Sequence, residues 1–109
     1  GNIMNDRQRE EELSNIIREA TVDCYGLHEE LLGLTTHLEN NLTFPFKIKL
    51  LGLTLEAIDL TARYVLLKLV VLRKGTKYTI DLTDIEVSDK NSQNYLLIEA
   101  YNDWLSRIF

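Results

Sequence analysis

The sequence has one cysteine, one proline, one tryptophan and two histidines in 109 residues. A lone Cys24 can close no internal disulfide and make no cysteine-based zinc site, which suits a reducing, cytoplasmic setting. Long apolar runs are missing. Stretches such as Tyr64-Val65-Leu66-Leu67 end within four residues at a charge, here Lys68, so no segment spans a bilayer and no membrane partner is expected. No basic segment leads into an apolar leader core, so secretion is not expected. Glycine-rich phosphate loops and serine elbows are also missing. His28 and His37 fall on opposite faces of one helical period. His28-Glu29 opens like a zinc-protease helix, but Leu32 stands where the second histidine is required. Cys24 lies on an apolar helical stripe and reads as core packing. Nothing here assembles an enzyme.

What is present is a globular composition, 45% apolar and 27% charged, sized for a single domain over residues 1–109. The net charge of −5 is unevenly spread. Residues 1–42 hold three cations against nine anions, residues 43–83 seven against three, and residues 84–109 two against five.

The hydrophobic period changes along the chain. Leu13, Ile16, Ile17, Ala20, Cys24, Leu27, Leu31, Leu34 and Leu38 recur at steps of three and four, one face of a helix, over about residues 10–41. Residues 1–9 read as a flexible N-terminal segment. Gly26 interrupts that helix, which splits into two, with Glu29 and Glu30 in the first turn of the second. Pro45 marks the switch to period two. Phe44, Phe46, Ile48 and Leu50 alternate with polar residues in a strand that starts at, or is edged by, the proline. Arg63 to Arg73 forms a strand apolar on both faces. Lys74-Gly75 turns it into Thr76 to Leu82, and Ile85 to Val87 adds a short last strand. Asn91-Ser92 caps a final helix over about residues 92–107, striped by Leu97, Ile98, Tyr101, Leu105 and Ile108. The predicted architecture is α+β. A small bent antiparallel sheet or SH3-like barrel, over about residues 43–88, is flanked by two N-terminal helices and one C-terminal helix.

Two ligand classes merit weighing. The strand block is basic and contains Phe44, Phe46, Tyr64 and Tyr78, the ingredients of a single-stranded nucleic-acid platform. Its aromatics alternate with the core residues, however, and the acidic flanks repel phosphates, so nucleic acid is not favoured. The acidic residues invite Ca²⁺, which takes six to eight oxygens. No EF-hand loop supplies them: the run from Asp89 to Asn94 lacks the glycine at its sixth position and ends its twelve residues on Ala100.

Three stretches carry a resemblance. They are Val22-Asp23-Cys24-Tyr25 leading through Glu29 and Gly33 to Leu38-Glu39-Asn40-Asn41-Leu42-Thr43-Phe44-Pro45-Phe46-Lys47, then Tyr78 to Glu86, and finally Ile98-Glu99-Ala100-Tyr101-Asn102-Asp103-Trp104. In order and spacing, over roughly residues 10–107, the chain resembles the small cyanobacterial CcbP-type calcium-binding protein family. The resemblance implies a barrel-like sheet with helices and a Ca²⁺ site built from carboxylates outside any EF-hand. It points to Asp23, Glu29 and Glu30, and to Glu56 and Asp59 in an acidic loop over residues 55–62 between the first long strands. Gly26-Leu27-His28 stand where the family is denser in acid, so weak or degenerate Ca²⁺ buffering or sensing is expected. The alternative is a metal-free module that holds a protein partner on the basic sheet face.

Overall fold

Helix α1 (Asp6–Ala20) begins seven residues before Leu13, where its apolar stripe starts, because Asn5 caps it. The Asn5 side chain accepts from the Gln8 backbone N–H at 2.8 Å, and the Gln8 side chain accepts from the Asn5 N–H at 3.1 Å. This reciprocal pair satisfies two otherwise orphaned donors. Residues 6–9, expected to be flexible, are therefore helical. The computed structural model describes residues 4–63 and 66–109, with the side chain of Arg63 left aside. Tyr64 and Val65, placed in a strand by the sequence pattern, lie outside the described residues.

The chain resolves into two compact units, residues 1–42 with 91–109 and residues 43–90. The first unit is helical. Helix α1 ends at Thr21, and α2 (Leu27–Asn41) starts after Gly26, whose φ of 94° favours glycine. The break is thus a six-residue connection containing Cys24, which is half-buried and not on a helix as the stripe suggested. Helix α2 buries Leu31, Leu34 and Leu38. Gly33 is its contact point with α1: a Cβ there would lie 2.4 Å from the Ala20 carbonyl oxygen and 3.0 Å from Cys24 Sγ. Helix α3 (Gln93–Ile108) is capped by Ser92, whose hydroxyl accepts from the Tyr95 N–H at 3.1 Å. It packs chiefly on α1, where Arg9 donates to the Tyr95 hydroxyl at 3.1 Å. Leu97, Ile98, Tyr101 and Leu105 are buried as the stripe requires, while Ile108 is exposed.

The second unit is a five-stranded antiparallel sheet in the order β4-β3-β2-β1-β5. Its strands are β1 (Phe46–Leu50), β2 (Leu53–Arg63), β3 (Leu66–Arg73), β4 (Thr76–Asp81) and β5 (Glu86–Val87), with a 3-10 turn at Leu82–Asp84. Strand β1 starts directly after Pro45, at a cis Phe44-Pro45 bond, and lies inside the sheet. Among the described residues β4 and β5 are not paired with each other, so the sheet is open and not the closed barrel considered from sequence. Ile48, Leu55, Ala57, Leu67, Leu69 and Val71 share its buried face, and each aliphatic side chain removed from water contributes roughly 1.5–3 kcal/mol. No helix among the described residues is long and apolar enough to cross a membrane.

The segment expected to be an acidic loop is the longest strand. Residues 55–62 lie within β2, paired with β1 on one side and β3 on the other. A bulge at Ile58 shifts the register, so that Glu56 pairs with Leu72 and Asp59 with Val70. Leu72 and Val70 are two apart on β3, hence on one face. Glu56 and Asp59, three apart in sequence, are therefore brought to that same face, which an unbulged strand would forbid.

Candidate metal centre

The five carboxylates implied by the resemblance fall into two sets. Asp23, Glu29 and Glu30 occupy the α1–α2 connection and the first turn of α2. Asp23 is exposed and holds φ of 61°, a left-handed conformation that Asp tolerates better than most residues. Glu29 is exposed and its Oε2 accepts from the Tyr25 N–H at 2.6 Å. Glu30 is half-buried, and its Oε1 accepts from the Trp104 indole N–H at 3.4 Å. Both glutamates sit where the helix dipole favours negative charge. The Glu29 contact could have been foreseen, since a Glu three residues after a helix cap commonly reaches back to the chain before it. The Glu30–Trp104 contact joins residues 74 apart, and no local pattern signals it.

The second set lies on the sheet. Glu56 is exposed and stands directly across from Lys47 on β1. Asp59 is exposed, and its Oδ1 accepts from the neighbouring Leu60 N–H at 2.8 Å. Other carboxylates are engaged by cations: Asp81 by Lys68, Asp103 by Arg107 at 2.7 Å, Asp6 by Arg9 at 3.2 Å and Glu86 by Lys90 at 3.9 Å. The Arg9 guanidinium is held further up than usual, first by its hydrogen bond to the Tyr95 hydroxyl.

By donor type Asp23, Glu29 and Glu30 suit a hard cation. By arrangement they are not a ready cage, for no group of three or more His, Cys, Asp or Glu side chains that could hold a metal ion occurs among the described residues. Trp104, 5% exposed, ties α3 to α2 through Glu30. Asp103 is half-buried beside Arg107. Phe44 and Phe46 lean on each other with ring centroids 5.4 Å apart. Tyr78, read as core from its alternation, is 53% exposed because β4 is an edge strand.

Three helices with an open five-stranded antiparallel sheet define a mixed α+β fold. No family model matches the chain, and comparison with curated proteins finds no match. Two solved structures share the fold. The crystal structure of Anabaena CcbP is similar at 24% identity and a TM-score of 0.72, over 100% of this chain and 98% of that one. A calcium binding protein in the calcium-binding form is similar at 24% identity and a TM-score of 0.71, over 97% and 98%.

Proposed function

We propose that this protein binds Ca²⁺ weakly, through carboxylates outside any EF-hand loop, and buffers or senses the ion without catalysing a reaction. The observation that carries this reading is the fold, shared across nearly the whole chain with a protein described in its calcium-binding form. Asp23, Glu29 and Glu30 are the residues we assign, because they cluster in sequence at one helix start and form no ion pair with a cation among the described residues. Glu56 and Asp59 fit less well: Glu56 stands across from Lys47, and Asp59 accepts from its own strand. Glu29 and Glu30 already accept protein N–H groups, so an ion has to compete with those bonds, which keeps the affinity low. The single cysteine supports a cytoplasmic setting.

Isothermal titration of chelator-treated protein with Ca²⁺, and with Mg²⁺ as control, tests the proposal. Heat on Ca²⁺ addition and a raised melting midpoint are expected, since a ligand that binds only the folded state stabilises it. No heat and an unmoved midpoint at millimolar Ca²⁺ would reject it. A second reading, a metal-free interaction module, draws support from the engagement of these same carboxylates by protein donors. It predicts the null titration.

A further inference from the structure

Two hairpin turns stand side by side at one end of the sheet. Leu51-Gly52 joins the paired residues Leu50 and Leu53, and Lys74-Gly75 lies between the paired Arg73 and Thr76. Strands β1 and β3 both run toward this end, with β2 hydrogen-bonded between them. From the pairing of Glu56 with Leu72, the first hairpin extends two residues, about 7 Å, beyond the second. In both turns the two central residues have positive φ: 49° and 81° for Leu51 and Gly52, 50° and 80° for Lys74 and Gly75. Two-residue turns of this kind favour Asn, Asp or Gly at the first position, a preference that Lys74 and Leu51 both depart from.

Leu51 breaks that rule and gains nothing for it within the molecule, because it is 96% exposed. A bulky apolar residue in left-handed backbone with no packing partner is a local conflict of the sort that functional contacts account for. Leu53 beside it is also exposed. Around this tip Lys49, Arg73, Lys74 and Lys77 are exposed. The nearby anions include Glu86, across from Lys49 and paired with Lys90, exposed Asp84 two residues before it, and Glu56, across from Lys47. The excess at this end is positive.

We infer that this end of the sheet docks on an anionic lipid surface, with Leu51 and Leu53 entering the headgroup–acyl boundary and the surrounding cations facing lipid phosphates. An apolar residue at a projecting turn has no groove to offer a helix or strand, whereas a soft interface accepts a tip of any shape. Peripheral binding combines apolar insertion with attraction to anionic lipid, and the two ingredients here are adjacent. The contact is peripheral, consistent with a sequence that has no spanning segment. It does not depend on calcium.

The test is co-sedimentation of the full chain, in chelator, with vesicles of phosphatidylcholine alone and of phosphatidylcholine with phosphatidylserine. Salt-sensitive binding to the second vesicle only is expected. Leu51→Asn should lower partitioning about tenfold while keeping or raising the melting midpoint, because Asn suits the turn. Lys74→Glu should lower it about fivefold or more. Absence of binding to the anionic vesicles at low salt overturns the inference, as does undiminished binding of Leu51→Asn. Self-association without vesicles that Leu51→Asn abolishes also overturns it, assigning the tip to a second copy. Leu51→Asn that binds Ca²⁺ normally but not vesicles separates this result from the calcium reading.

Discussion

The start of α2, unlike the rest of the helical unit where Asp6 and Asp103 pair with arginines, disposes of its carboxylates differently from the sheet unit. The helical unit is strongly acidic, with four cations against eleven anions, and at the start of α2 its carboxylates meet N–H groups: Tyr25 for Glu29, Trp104 for Glu30. The sheet unit has eight cations against six anions, and three of its carboxylates meet lysines across the strands, Lys47 opposite Glu56, Lys49 opposite Glu86 and Lys68 bonded to Asp81, while Asp59 accepts from the Leu60 N–H. An N–H donor is neutral and can be exchanged for a cation without leaving a buried charge behind. A lysine already neutralises its partner and repels a second cation. The difference favours the start of α2 over the sheet for the proposed cation site, and four variants can break or sharpen it.

The largest effect is expected at the α1–α2 contact. Gly33→Ala places a methyl against the Ala20 carbonyl, and overpacking outweighs the gain in helix propensity, for a net loss of about 2 kcal/mol. Urea denaturation measures it, and an unchanged midpoint means that the approach of the helices at Gly33 is not required. Next, the double variant Glu29→Gln with Glu30→Gln should lose at least about tenfold in Ca²⁺ affinity, roughly 1.4 kcal/mol. Glu56→Gln with Asp59→Asn should change it less than about twofold. Calorimetric titration of both pairs decides, and the reverse order would move the site to the sheet. A small effect on stability belongs to Lys47→Glu, which sets like charges across β1 and β2 and should cost about 0.5 kcal/mol, less in high salt. Salt-dependent melting reads it directly.

Much of the architecture was legible because local signals agreed with the final packing. Ser92 caps α3 as its residue type predicts, and Lys74-Gly75 makes the expected hairpin. The start of α1 was missed because residues 6–12 are polar on every face, leaving only the Asn5–Gln8 spacing as a clue. Strand β2 was obscured by its own bulge: Leu53, Leu55 and Ala57 alternate cleanly, but the extra residue Ile58 breaks the period before Leu60 and Ala62 resume it. Asp23, Glu29 and Glu30 were locatable on one helix start. The partner of Glu30 was not, because Trp104 comes from the far end of the chain.

The pairing of β1 with β5 has a consequence for how the chain orders itself. Residues 43–90 interrupt the helical unit, so α3 must find α1 and α2 across a 48-residue excursion. The Ser88 N–H donates to the Lys47 carbonyl at 3.0 Å, and Ile48 sits opposite Val87, so the folded sheet returns the chain to where it left. An open excursion of that length is thereby shortened to a few residues, which lowers the entropy of loop closure by about 2 kcal/mol. The two-residue strand β5, small as it is, works as the clasp that makes the third helix a near neighbour in chain space before it docks.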